Sequence, residues 1–178
     1  MKFIHEIPLK LTRFLLCFLI IFIGSSCNES KSQSPFRSYK KIDIILDSGE
    51  SIKTYIAHRD QEQRLGLSTV QPNEFNDDDA MLFTGEHFQA RQFWMPETYF
   101  DLDLFFLGPD LKVLDIHRKL KHYTKREPRH KVPLSKVAYC QHVLELKASS
   151  PLSALIKKGM VLKLKSKESL QKILQDIH

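Results

Sequence analysis

Between residues 41 and 164 the chain is cut into short apolar runs with turn residues between them. KIDIIL (41–46), IKTYIA (52–57), AMLFT (80–84), RQFWM (91–95), LDLFFL (102–107), LKVLDIH (111–117), QHVLELK (141–147) and MVLKL (160–164) are all of strand length. They are rich in β-branched and aromatic side chains, and each falls short of the ~10–12 residues of an ordinary helix. Asp47-Ser48-Gly49-Glu50 separates the first two as a hairpin turn, and Gly108-Pro109-Asp110 makes another tight turn. The pattern predicts a mainly β fold, sandwich or barrel-like, with a few short helices at the rim. Asp60 with Gln63 resembles a capping box and Gly66 a stop, which places a helix over 60–66. Ser150 and Gly159 bracket a second, over 151–158. Leu170, Ile173, Leu174 and Ile177 form one stripe of a C-terminal amphipathic helix over 166–178.

The N-terminus follows another logic. Lys2, Lys10 and Arg13 precede the apolar run FLLCFLIIFI, then Gly24-Ser25-Ser26 and Cys27. A basic stretch, an apolar stretch and small residues make a secretory signal. A cysteine directly after the small residues looks like a bacterial lipoprotein signal, cut before Cys27 and lipidated there. The apolar run is well short of the ~20 residues that span a bilayer. The expected organisation is therefore a signal over 1–26 and a flexible polar tether over 27–39. A β-rich domain over 40–165 and the C-terminal helix follow. The expected location is the extracytoplasmic side of a bacterial envelope, held through the N-terminal lipid. Whether the inner or the outer membrane holds it is left open.

This expectation limits the chemistry. With Cys17 removed and Cys27 modified, Cys140 is the remaining thiol. The domain then has no internal disulfide and depends on its core, and Cys140 is read as a buried small hydrophobe. The scattered histidines lack a His-x3-His spacing, so no metal and no cofactor is expected. No P-loop, dinucleotide or Gly-x-Ser-x-Gly pattern is present. The formal net charge is +6. Much of it sits in HRKLKHYTKREPRHKVPLSK (117–136), where basic residues face only Glu127. Arg118, Lys119, Lys121, Lys125, Arg126 and Arg129 are candidates to meet anionic head groups or acidic envelope polymers, at ~1 kcal/mol per charge near a membrane surface. The acidic run Glu74, Asp77, Asp78 and Asp79 could instead neutralise them. Nucleic acid is not expected for an exported chain, and a monomer is.

Asp101 and Asp103 lie two residues apart and would share a face of a strand. With Glu145 as a third, they could bind a hard cation or split their pKa values for acid–base work. Alternatively, Asp103 is a satisfied polar group in the turn before it, bonded to Thr98. Phe83, Phe88, Phe93, Trp94, Tyr99, Phe100, Phe105 and Phe106 form either a core or an aromatic-lined cleft.

The stretch FWMPETYFDLDLFF (93–106) resembles the family called domain of unknown function 192. Phe93, Trp94, Met95, Thr98, Leu102, Asp103 and Phe106 match its pattern in register. Glu97 stands where the family has asparagine and Asp101 where it has proline. Arg64, Gly66 and Leu67 look like the remnant of an upstream element. Ala80–Phe83 corresponds to Gly-Met-Leu-Phe, Val143–Leu146 to Val-Leu-Glu-Leu, and Gly159 to a late glycine pattern. The likeness runs over about 42–164, with several glycines replaced. It implies a compact β-sandwich or barrel, often exported, without an established activity. Trp94, Met95, Thr98 and Arg64 are the candidate ligand-binding residues. Three functions stay open: a membrane-tethered binding module, a carboxylate-dependent hydrolase, and a structural lipoprotein.

Overall fold

The computed structural model describes residues 34–177. The expected signal, Cys27 and most of the tether lie outside them. The strands are β1 (Lys41–Ile45), β2 (Ser51–Ala57), β3 (Asp79–Phe83), β4 (Gln89–Arg91), β5 (Leu102–Leu107), β6 (Val113–Leu120), β7 (Ala138–Cys140), β8 (His142–Lys147) and β9 (Lys163–Leu164). The helices are α1 (Asp60–Leu65), α2 (Pro151–Leu155) and α3 (Leu170–Gln175). Seven strands form a curled half-barrel sheet in the order β6-β5-β8-β3-β2-β1-β9, while β4 and β7 form a separate ribbon. β2 and β3 are parallel, so their connection must cross over, and α1 lies in that crossover. The other pairs in both sheets are antiparallel.

Both faces of the sheet are covered. One carries Ile44, Ile52, Leu82, Phe105, Leu144 and Leu146 against the stripe Leu170, Ile173 and Ile177 around α3. The other carries Tyr55, Met81, Phe83, Leu102, Leu104 and Val143 against Phe36, Phe75, Met95 and Phe100. This two-sided cover explains why β3 and β5 are buried along their whole length. The described end of the expected tether packs as well. Phe36 is 1% exposed and meets the Tyr55 ring edge-on at 5.0 Å.

Several local expectations shift. The box around α1 closes one residue earlier, on Arg59, whose N–H donates to the Glu62 carboxylate. Gly66 does end the helix, with φ 49°. A Cβ there would come within 3.1 Å of the Phe83 ring. α2 and α3 are shorter than expected, and Gly159 (φ 91°) serves a turn beyond α2 instead of capping it. The run expected as a strand over 91–95 pairs as β4 only through Arg91, after which Trp94 makes a lone bridge to Leu134. Pro96 has no N–H with which to continue a ladder. β6 runs on to Leu120, so Arg118 and Lys119 belong to a strand and not to the basic loop.

Candidate functional site

The loop 93–98 connects β4 to β5 and is bonded on both sides. The Met95 N–H donates to the Pro133 carbonyl at 3.2 Å and the Thr98 N–H to that of Tyr123 at 3.0 Å. The Ser135 N–H donates to the Phe93 carbonyl at 2.7 Å. From α1's side, the Ser68 hydroxyl donates to the Pro96 carbonyl at 3.0 Å and the Thr69 N–H to the Glu97 carbonyl at 2.8 Å. Thr69 (φ 66°) and Glu97 (φ 51°) are both left-handed. Two non-glycine residues held there are strained, and such strain gathers at functional sites.

Beneath this loop lies a cavity of about 50 Å³, walled by Phe83, Phe93, Trp94 and Leu102, with Arg64 beside it. Glu145 of β8 also lines it. Its register partners are Met81 of β3 and Leu104 of β5, so it stands on the aromatic face of the sheet. Glu145 is 4% exposed and makes no hydrogen bond or ion pair among the described residues. Burial pushes its carboxyl up to about 8, because low-dielectric surroundings penalise the charged form. It is the only carboxyl among the described residues lining the cavity. Trp94 is 42% exposed at the rim, while Met95 and Thr98 are buried.

Asp101 and Asp103 do not join it. Asp103 pairs in register with Leu146 and therefore faces the opposite side of the sheet. It accepts from Arg118 at 2.7 Å, from the Ser153 hydroxyl at 2.6 Å and from the Lys119 N–H at 2.7 Å. These are its partners in place of Thr98, whose hydroxyl donates to the Pro96 carbonyl. Asp101 is taken by Lys121 at 2.7 Å and by the His122 N–H at 3.0 Å. Burial alone would raise the Asp101 carboxyl, but hydrogen bonds from Lys121 and from the His122 backbone and ring bring it down to about 2. The three carboxylates therefore separate into two ion-paired aspartates and one glutamate without a partner among the described residues.

Of the two readings of the aromatic cluster the core holds for most of it, as Phe105 and Phe106 are fully buried. The basic segment meets acids from elsewhere in the chain as well as Glu127: Arg118 meets Asp103, Lys121 meets Asp101, Arg126 meets Glu97 and Arg129 meets Glu127. Lys119 and Lys125 form no ion pair among the described residues. Glu74–Asp79 does not neutralise that segment. Its aspartates meet Lys147, Lys53 and Arg37. Among the described residues no three His, Cys, Asp or Glu side chains are grouped to hold a metal ion. Nor is any helix there long and apolar enough to cross a membrane. A wider cleft of about 470 Å³ beside α3 includes His58 and His142, but the His142 ring already accepts from the Gly85 N–H at 3.2 Å.

The model of the family described as Uncharacterized ACR, domain of unknown function 192, matches residues 44–164. The chain belongs to this family. No curated protein matches it. Two crystal structures share its fold. One is of a proposed transcription regulator from Sinorhizobium meliloti 1021, 23% identical, with TM-score 0.56, covering 71% of this chain and 95% of its own. The other is of a protein of unknown function from Novosphingobium aromaticivorans DSM 12444, 25% identical, with TM-score 0.54, covering 69% and 83%.

The blocks that resemble domain of unknown function 192 lie far apart in the chain and meet at this one cavity. Arg64, Gly66 and Leu67 come from the end of α1, Phe83 from β3, Phe93–Met95 and Thr98 from the loop, Leu102 from β5 and Glu145 from β8. Ser68 and Pro96 also line it and were not singled out from sequence. A serine and a proline in loops carry no signal until the loops are brought together.

Proposed function

We propose that this member of the domain of unknown function 192 family is a membrane-tethered binding module of the bacterial envelope, with the cavity beneath Trp94 as its site. The observation that carries the reading is Glu145, a buried carboxyl lining a cavity with no partner among the described residues. Burying an unbonded polar group costs about 1–3 kcal/mol, which a ligand able to bond it would recover. The rim supports the same reading, because Trp94 is half exposed beside the buried Met95 and Pro96. The tether rests on the signal-like N-terminus and Cys27. Lys119 and Lys125 are exposed and suited to anionic head groups or acidic polymers.

Hydrolysis by a carboxylate pair is the weaker reading, since Glu145 has no second carboxyl beside it among the lining residues. A purely structural lipoprotein would leave the cavity without a ligand. The test is thermal unfolding of the full chain in detergent micelles against a panel of glycans, peptidoglycan fragments, amines, carboxylic acids and lipid head groups. A ligand at a hundred times its Kd adds about 2.7 kcal/mol. A specific shift that Trp94→Ala abolishes, with the fold kept, supports the binding module. No shift across the panel overturns it. Cys27→Ser tests the anchor separately: the variant should leave the membrane fraction.

A further inference from the structure

Away from the exposed Arg64 and the Trp94 rim, the cavity offers mainly acceptors. The Ser68 and Thr98 hydroxyls both spend their protons on the Pro96 carbonyl, at 3.0 and 3.3 Å. What they have left are lone pairs. Four of the backbone N–H groups around the cavity are used: Gly66 on Glu62, Ser68 on Leu65, Met95 on Pro133 and Thr98 on Tyr123. The Gln63 amide donates to the carbonyls of His58 and Thr84. Glu145 adds two more acceptor oxygens once it is ionised. The walls are the rings of Phe83, Phe93 and Trp94, whose faces attract cations.

Building on the binding reading above, we propose that the group held beneath Trp94 is a primary ammonium on a short stem, with Glu145 as its counter-ion. An ammonium carries three donors and no acceptor, which complements this lining. Its compactness suits a cavity of about 50 Å³, far below the ~300–1,000 Å³ that encloses a drug-sized ligand. The ligand therefore inserts only its tip and leaves the rest outside. A carboxylate or phosphate tip would find inside only the single O–H of neutral Glu145, with Arg64 exposed at the edge, and would be repelled wherever Glu145 is ionised. A divalent cation would need about six oxygen ligands, and one carboxyl among aromatic rings does not supply them. Arg64 is exposed, so its repulsion is screened by water and salt.

Binding is coupled to a proton. Free Glu145 holds its proton to about pH 8, and the ammonium requires the ionised form. The proton therefore leaves the carboxyl for solvent as the ammonium enters. Affinity should rise about tenfold per pH unit below 8 and level off above it.

Trp94 is the only tryptophan in the chain, so intrinsic fluorescence of the full chain in detergent micelles reports this rim alone. The probe is n-propylammonium, with propionamide and propionate as controls, at pH 6, 7.5 and 9. The expected result is a saturable response to n-propylammonium only. It should tighten with pH, be accompanied by proton release in calorimetry with two buffers, and be lost in Glu145→Gln. That variant keeps the neutral state of the free site and so keeps the fold. An equal response to propionamide or propionate overturns the ammonium assignment and leaves the binding module standing. A response to another class in the unfolding panel with none to the amine does the same. Silence in both experiments overturns both. Nα-acetyl-lysine methylamide and phosphoethanolamine then separate the sources, since the tighter binder shows whether a polypeptide side chain or a lipid head group supplies the ammonium.

Discussion

The Thr69 N–H donates to the Glu97 carbonyl at 2.8 Å, and both residues hold left-handed backbone. This bond ties the segment after α1 to the loop that carries Trp94. Left-handed backbone costs an ordinary L-residue roughly 1–2 kcal/mol, and asparagine tolerates it better. The Arg126 ion pair that Glu97 would lose is exposed and worth little. Glu97→Asn should stabilise the domain by about 0.5–1 kcal/mol, seen as a rise in denaturant midpoint at unchanged slope. A fall in midpoint would show that the loop draws on the Glu97 side chain.

Two buried groups pull stability in opposite directions with pH. Glu145 is raised by burial from 4.5 to about 8. Its contribution is whole below 4.5 and is lost as pH rises to 8, because the unfolded chain ionises first. Burial, and then Arg91, lowers His142 from 6.5 to about 4. Its contribution is whole above 6.5 and is lost as pH falls to 4, because the unfolded chain gains the proton first. Between 4.5 and 6.5 the two slopes oppose each other, and above 6.5 only Glu145 acts. Stability should fall by about 2 kcal/mol from pH 6.5 to 8. In Glu145→Gln that fall should vanish in denaturant titrations across the range, and its persistence would mean that another group is responsible.

Asp103 is a brace. It joins β5 to β6 through Arg118 and to α2 through Ser153, while Arg118 also donates to the Ile156 carbonyl at 2.6 Å. Removing one partner of a buried pair leaves the other uncompensated, at about 3–5 kcal/mol. Arg118 is 34% exposed, which brings the expected loss for Asp103→Ala to about 3 kcal/mol. Urea unfolding measures it. If the folded variant also lost the Trp94 fluorescence response to n-propylammonium, Asp103 would not be confined to the far face of the sheet.

Cys140 is fully buried, and burial pushes its thiol up to about 11. Since the thiolate is the reactive form, iodoacetamide should leave Cys140 unmodified in the native protein and label it after unfolding. Peptide mass mapping distinguishes it from Cys17 and Cys27. Native labelling at a rate near that of a free thiol would contradict the packing around β7.

The sequence could be read well where local chemistry acts alone. The hairpin of β1 and β2 follows from alternation around Asp47–Glu50, and Gly66 ends α1 because a left-handed stop excludes a side chain against Phe83. β7 escaped notice because Ala138–Cys140 is too short to show a period. α2 and α3 were read too long, since helix ends depend on what packs against them.

By itself, then, the amino-acid order determined a mainly β domain of short strands, because period, turn residues and run length are local properties. It also placed Trp94, Thr98, Arg64 and Glu145 among the residues to watch. Only the tertiary structure decided which carboxylate matters. Asp103 and Glu145 sit on neighbouring strands, and their register sends one to Arg118 and leaves the other beneath Trp94 without a partner among the described residues. A side chain's face is set by its own strand, but its partner is set by strand pairing, which links residues far apart in the chain.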